Sequence, residues 1–364
     1  MKQNWIYKKL GEICDVKTGK LDANASDENG LYPFFTCSKE PLHINTFSYD
    51  AECILVAGNG DLNVKYYNGK FDAYQRTYII TLKHSVTNIS VKYLFCFFLL
   101  YVDALREKSI GGVIKYIKLG DITEAIVPVP PLADQSRIVA ELDLLQSVID
   151  KKKAQLDEYD KLAQSIFYEM FGDPIDNPKK WEVKKLGEIG ECISGGTPSR
   201  KRTDYFSGNI NWFSAGELNS LFLTDSVEKI TQEALDSSAA KLCKPMSLFI
   251  GMYDTAAFKL GIPTIESTSN QACANVSLYQ DNIIWLYYVL LLMKDEALKH
   301  RHGARQKNLN LNYIKNFEIP LPPLSLQQSF AEKIEAIEHQ KELVKQSLNE
   351  VKTLFDSRMD YYFN

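Results

Sequence analysis

The chain has 364 residues, 45% of them hydrophobic and 24% charged, with a formal net charge of −4. At roughly 150 residues per domain this length predicts about two domains, and the balance is ordinary for a soluble globular protein. The net charge argues against indiscriminate nucleic-acid binding, although a local basic face depends on placement rather than on the sum.

No basic segment followed by an apolar one opens the chain, so no signal peptide is expected. Seven cysteines stand singly, with no CxxC pair. That pattern predicts a reducing, cytoplasmic setting, and neither a disulfide scaffold nor a structural zinc site. The first distinctive phrase is WIYKKLGEI, beginning at Trp5. A block follows in which runs rich in Ile, Val, Tyr and Phe are broken by Gly-Asn-Gly and Asn-Gly-Lys, a pattern of strands and turns. Asn59, Lys65, Tyr74, Gln75 and Arg76 are its candidate polar contacts. The apolar run Tyr93–Val102 has half the length a membrane span needs and reads as a buried helix. A glycine loop carrying Lys115 leads to Pro-Val-Pro-Pro-Leu, ending at Leu132.

Helical periodicity then takes over. Leu142, Leu145, Ile149, Lys152, Leu156, Tyr159, Ala163, Ile166 and Met170 recur at steps of three and four, a heptad seam interrupted by one Lys. About 30 residues at 1.5 Å each predict a rod of about 45 Å. Gly172 and Pro174 end it.

At Trp181 the opening phrase returns as WEVKKLGEI, offset by 176 positions. Every later landmark returns at an offset of 192. Pro128, Pro130, Pro131, Leu132 and Gln135 recur as Pro320, Pro322, Pro323, Leu324 and Gln327, and Lys115 as Lys307. A second seam follows at Ile334, Ile337, Lys341, Val344, Leu348, Val351 and Phe355. The borders of the two halves are thus shared while their middles differ. A seam that long needs a partner, and the simplest is the other copy, antiparallel if the halves are related by a pseudo-twofold.

In the second variable block GGTPSRKRTDYF offers Thr197, Ser199, Arg200, Lys201 and Arg202. Tyr253, Asn270 and Gln271 follow, and GARQKNLN offers Arg305, Gln306, Lys307 and Asn308. Arg and Lys bind phosphates, Arg also reads guanine, and Asn and Gln read adenine. No P-loop, G-x-G-x-x-G, H-E-x-x-H or G-x-S-x-G motif is present. His300 and His302 flank Arg301, which suits a basic loop better than a metal site, and Asp254 alone is no mechanism. The residues describe a binding and positioning device.

The two W-x-x-K-K-L-G-E-I heads, GGTPSRKRTDYFSGNINWFSAGEL, NQACANV, GARQKNLN and the two P-x-P-P-L-x-x-Q boxes leading into long helices resemble the specificity subunits of type I restriction–modification systems, over nearly the whole chain. The resemblance implies an α+β fold: two α/β target-recognition domains, joined by two long antiparallel helices in a coiled coil, with an internal pseudo-twofold repeat. The domains would be 1–132 and 175–324, and the spacer helices 133–174 and 325–364. It implies a non-catalytic subunit that reads a bipartite, gapped double-stranded DNA target. It also implies docking of two modification subunits, which methylate adenine, and of restriction subunits, which translocate and cleave. S-adenosylmethionine, ATP and Mg would belong to those partners, with no cofactor or metal in this chain and no membrane. The first loop, with Val113 and Ile114 where the second has Arg305 and Gln306, should contact DNA less through polar side chains. A coiled-coil adaptor that binds proteins, or a silent or orphan specificity subunit, are the alternative readings.

Overall fold

A computed structural model describes residues 5–299 and 308–364. They form two compact units, Met1–Ala154 with Lys345–Asn364, and Gln155–Val344.

Unit 1 opens with β1 (Ile6–Lys9), α1 (Leu10–Ile13) and β2 (Cys14–Thr18), followed by β3 (Tyr32–Phe35), β4 (Leu42–Ile44), β5 (Tyr49–Ala57), β6 (Val64–Ala73) and β7 (Thr77–Leu82). After them come α2 (Val91–Lys108), α3 (Leu119–Thr123), β8 (Ile126–Val129) and the start of α4 (Leu132–Phe171). Six strands form one sheet in the order β2-β7-β5-β6-β3-β4, antiparallel except where β3 meets β6. Because side chains alternate along a strand, the apolar run of β5 feeds two cores. Ile54 and Val56 pack with Tyr93, Leu94, Phe97 and Phe98 of α2, while Cys53 and Leu55 pack with Phe35, Phe71 and Ile79.

Unit 2 repeats the frame with β9 (Glu182–Lys185), α5 (Leu186–Ile189) and β10 (Gly190–Ser194). The variable block gives β11 (Ile210–Phe213), β12 (Phe222–Leu223), β13 (Glu228–Ile230), α6 (Gln232–Asp236), β14 (Leu248–Gly251), β15 (Leu260–Pro263), β16 (Ser267–Ser269) and β17 (Cys273–Leu278). Next are α7 (Ile283–Leu292), α8 (Lys294–Lys299), α9 (Leu311–Lys315), β18 (Glu318–Leu321) and α10 (Leu324–Phe363). Its sheets run β10-β17-β14-β15-β12 and β13-β11-β16. The wholly apolar segment Ile283–Leu292 forms α7, whose Trp285, Leu286, Val289 and Leu290 are fully buried. Among the described residues no helix is long and apolar enough to cross a membrane.

The sequence repeat is a repeat of contacts. β1 pairs antiparallel with β8, and β9 with β18. Leu10 N–H donates to Ala125 O (2.8 Å), and 176 and 192 positions on, Leu186 N–H donates to Phe317 O (3.0 Å). These ribbons hold the two W-x-x-K-K-L-G-E-I heads against the Pro-rich punctuation that begins each long helix.

Each long helix has 40 residues, not about thirty. At 1.5 Å per residue that is about 60 Å. The extra turns lie ahead of the heptad seam, where Gln135 and Ile138, or Gln327 and Phe330, pack into a domain core. Within unit 1, Arg358 of α10 binds Glu141 of α4 through Nε (2.5 Å) and Nη2 (3.0 Å). Within unit 2, Lys341 of α10 reaches Asp160 of α4 (2.7 Å), and the Phe167 and Phe330 rings meet at 5.5 Å. In each unit positions rise along α4 as they fall along α10, so the helices are antiparallel. Leu142, Ile149, Ala163, Ile334, Ile337, Val344 and Leu348 are buried, and Leu145, Leu156, Tyr159, Ile166, Val351 and Phe355 half-buried. Gly172, at φ +80°, turns the chain out of α4.

Candidate nucleic-acid interface

In unit 1 the candidate residues gather at one edge of the sheet, where β5 ends and β6 turns into β7. Gly58 N–H donates to Arg76 O (2.8 Å), and Gly58 O accepts from Ile117 N–H (3.0 Å). A side chain at Gly58 would meet Arg76 O at 2.4 Å, so the close approach needs glycine. Asn59 bridges to Tyr116, and Gly60 N–H donates to Lys115 O (2.9 Å). Tyr74 N–H donates to Phe35 O and Gln75 N–H to Leu21 O, both at 2.9 Å. Three segments far apart in sequence thus present Asn59, Tyr74, Gln75, Arg76 and Lys115 together. Gln75, Arg76 and Lys115 are exposed, and among the described residues Arg76 and Lys115 make no ion pair. Lys65 differs: it is half-buried, donates to Asn63 Oδ1, and is held below the usual lysine pKa by burial.

In unit 2 the same edge is assembled from other segments. Gly195 N–H donates to Cys273 O (3.0 Å), and Gly196 N–H to Ser269 O (2.9 Å). Met252 N–H donates to Ala272 O and Leu309 N–H to Met252 O, both at 2.8 Å. The last bond matches Ile117 to Gly58 in unit 1: its donor lies 192 positions on, and its acceptor, inside the variable block, 194. Thr197 hydrogen-bonds Gln271, Asn270 Oδ1 accepts from Ala272 N–H (3.0 Å), and Asn308 Oδ1 accepts from Asp254 N–H (3.1 Å). Thr197, Tyr253, Asn270, Gln271 and Asn308 therefore share one edge. Arg305, Gln306 and Lys307, with His300, Arg301 and His302, lie outside the described residues.

The Arg-Lys-Arg run is not uniformly basic. Arg202 N–H donates to Ser199 O (3.1 Å) in a tight turn. The Arg200 guanidinium lies 4.2 Å from the Phe206 ring and 4.9 Å from Trp212, and forks onto Glu228 at 2.5 and 2.8 Å. Arg202 binds Asp204 (2.5 Å) and Glu233 (3.1 Å) above the Tyr205 ring. Hydrogen bonds from these arginines hold Glu228 and Asp204 below the usual carboxylate range. Such forks fix geometry, so Arg200 and Arg202 brace the turn. Lys201 between them is exposed and without an ion pair among the described residues. Glu228 and Glu233 were not among the residues singled out from sequence. They lie 28 and 31 positions from their arginines, and only the spacing of Arg202 to Asp204 was a local signal.

The cysteines are all free, and six of the seven are buried. Burial pushes the thiols of Cys14, Cys53, Cys96 and Cys273 up to about 12, so they pack as small apolar residues.

The sequence matches the family described as type I restriction modification DNA specificity domain twice, over residues 2–158 and 178–353. It is 40% identical over 163 residues to the specificity subunit of the type I restriction enzyme EcoDI of Escherichia coli, covering 44% of this chain and 35% of that subunit. The chain thus aligns with about a third of that relative's length. The EcoR124I/EcoR124II specificity subunit of Escherichia coli is 23% identical over 278 residues, 72% of this chain and 68% of that one. Among solved structures, the S subunit of a type I restriction–modification system from M. genitalium superposes with a TM-score of 0.64 at 15% identity, covering 99% of this chain and 96% of that one. At that identity the likeness speaks for the fold.

Proposed function

The chain belongs to the type I restriction–modification DNA specificity family, and from that premise we propose that it reads a bipartite, gapped target in double-stranded DNA. Unit 1 reads one half-site and unit 2 the other. Target recognition falls to 1–132 and 175–324, and spacing to 133–174 and 325–364. A helix of about 60 Å exceeds the roughly 34–36 Å between half-sites one turn apart. The repeated frames dock two adenine methyltransferase subunits, and restriction subunits join that assembly. Catalysis belongs to those partners, which use S-adenosylmethionine, ATP and Mg, and the whole works in the cytoplasm.

One observation carries the reading. In each unit, polar residues from distant segments meet at one edge, on a frame whose hydrogen bonds are the same in both units. Asn59, Gln75, Arg76 and Lys115 fit base-edge and phosphate contacts in unit 1. Thr197, Lys201, Asn270, Gln271 and Asn308 fit them in unit 2, joined by Arg305, Gln306 and Lys307 from sequence. The test is a genome-wide map of N6-methyladenine with and without this gene. Loss of one gapped, two-part motif on deletion is expected. If the map is unchanged while the modification subunit is present, and the assembled complex binds no sequence preferentially, the proposal is wrong.

A further inference from the structure

The segment from Ile110 to Tyr116 forms a short finger in unit 1. Ile110 N–H donates to Tyr116 O (3.0 Å) and Tyr116 N–H to Ile110 O (2.8 Å), closing its base. Gly111 takes φ +125°, and a side chain there would lie 2.5 Å from Ile114 O, so the turn is made for glycine. The finger holds Val113 wholly in solvent, Ile114 61% exposed, and Ile110 and Tyr116 about two-fifths exposed. Four large apolar side chains gathered on one projecting turn mark a contact surface rather than scattered surface residues.

Its surroundings indicate the partner. Asn59 bridges to Tyr116 and Gly60 N–H donates to Lys115 O (2.9 Å), so the finger is hydrogen-bonded to the polar edge assigned above to DNA. Exposed Lys108, Lys115 and Lys118 flank it. An apolar tip between cations suits a surface that is anionic at its borders and apolar at one point within. In the major groove of DNA, the apolar feature is the C5 methyl of thymine.

Resting on the DNA-reading function above, we propose that Val113 and Ile114 pack on a thymine methyl group in the half-site read by unit 1. The finger then reads one A·T pair without a hydrogen bond. In the sequence, the residues 192 positions on from Val113 and Ile114 are the polar Arg305 and Gln306.

Replacing thymine by deoxyuridine removes that methyl and nothing else. Binding of the assembled complex is measured on its target and on duplexes with uracil at each thymine of the half-site in turn. One substitution should weaken binding about fourfold, the effect of one buried methyl-sized group. The Val113→Ser/Ile114→Ser complex should bind natural DNA correspondingly more weakly and be indifferent to that uracil. Both replacements are at exposed positions, and an unchanged melting temperature confirms an intact fold. Sequence-dependent binding that no uracil alters overturns the thymine contact alone, as does a half-site without an A·T pair. A variant that loses a modification subunit while keeping the uracil effect of the natural protein assigns the finger to a protein partner and overturns it too. Absence of any sequence preference in the natural complex would instead overturn the function on which the proposal stands.

Discussion

Gln135 and Gln327 carry no charge and touch no solvent, yet each ties three pieces of chain together. Gln135 accepts from Ser90 N–H (2.9 Å) and donates to Asn88 O (2.9 Å) and Pro130 O (2.8 Å). Gln327 accepts from Asn282 N–H (2.8 Å) and donates to Asp281 Oδ1 (2.8 Å) and Pro322 O (2.9 Å). Each anchors the start of an apolar helix to the start of a long one. Truncation leaves buried partners unsatisfied, which costs more than the net worth of the bonds made. Gln135→Ala should destabilise unit 1 by about 3 kcal/mol. Calorimetry should show its melting transition lowered by roughly 6–12 °C; a transition at the natural temperature would refute the anchoring role. At the same scale, Lys201 and Arg200 should behave differently in DNA binding. Lys201→Ala should reduce the slope of log K against log salt by about 0.9, the loss of one phosphate contact. Arg200→Ala should leave that slope nearly unchanged while weakening sequence discrimination, because its charge is already met by Glu228. Equal slope changes in both would contradict the bracing role.

The helix pair carries two different polar devices at the element scale. Lys341 sits in the seam with its side chain only 14% exposed, beside Glu338 at 16% and Asp160 at 57%. Burial pulls its pKa down, and the two carboxylates more than offset this, leaving it above the ordinary lysine value. Such a site is costly to break and cheap to replace whole. Lys341→Met alone should lower stability by about 3 kcal/mol by stranding Glu338, whereas Lys341→Met/Glu338→Leu should equal or exceed the natural protein in denaturant titration. The Glu141 site is half-exposed and responds to acid. A hydrogen bond from Arg358, with one from Tyr362, holds its carboxyl below the ordinary glutamate value. A carboxyl with a depressed folded pKa stabilises above its unfolded pKa and loses that contribution as pH falls through the folded value. Glu141→Gln should therefore flatten the acid limb of the unit 1 stability curve below about pH 4.5 and lower stability by a roughly constant amount above it, where the natural carboxylate is ionised and paired with Arg358. An unaltered acid limb would show the pair to be inconsequential.

The seams themselves were legible because heptad spacing is local information. All the residues placed on them from Leu142 to Met170 and from Ile334 to Phe355 are buried or half-buried. The first ten residues of each helix carry no heptad signal, since Gln135 and Gln327 face a domain core; the bounds 133 and 325 for the spacer helices came from the resemblance and not from the seam. The repeat predicted the frame for the same reason: identical phrases make identical ribbons. Non-local pairing was invisible. Nothing near Arg200 announced Glu228, and nothing in GNGDLN announced that Gly58 would accept from Ile117. The candidate loops were found by residue type, but their convergence depends on which strands become neighbours.

At the scale of the whole molecule, the last twenty residues belong to the first unit. Met359 and Tyr362 are 3% exposed and Phe363 8%, all in the core built around α2, and the Phe363 ring lies 5.4 Å from Tyr93. The chain's end thus completes a core whose other members were made some 250 residues earlier. Burying a side chain of this size stabilises by about 1.5–3 kcal/mol, so three account for about 5–9 kcal/mol. That rivals the entire 5–15 kcal/mol stability typical of a domain. Removing residues 345–364 should therefore unfold unit 1, the half of the chain most distant in sequence. Unit 2, whose core draws on residues up to Ile337, should survive. Calorimetry of the truncated chain is expected to show the unit 2 transition alone, and a peptide of residues 345–364 added in excess should restore the other. Retention of both transitions without the peptide would mean that the C-terminal residues merely lie against unit 1. Loss of both would mean that the two units cannot fold apart, since the helices they share would then make a single cooperative structure.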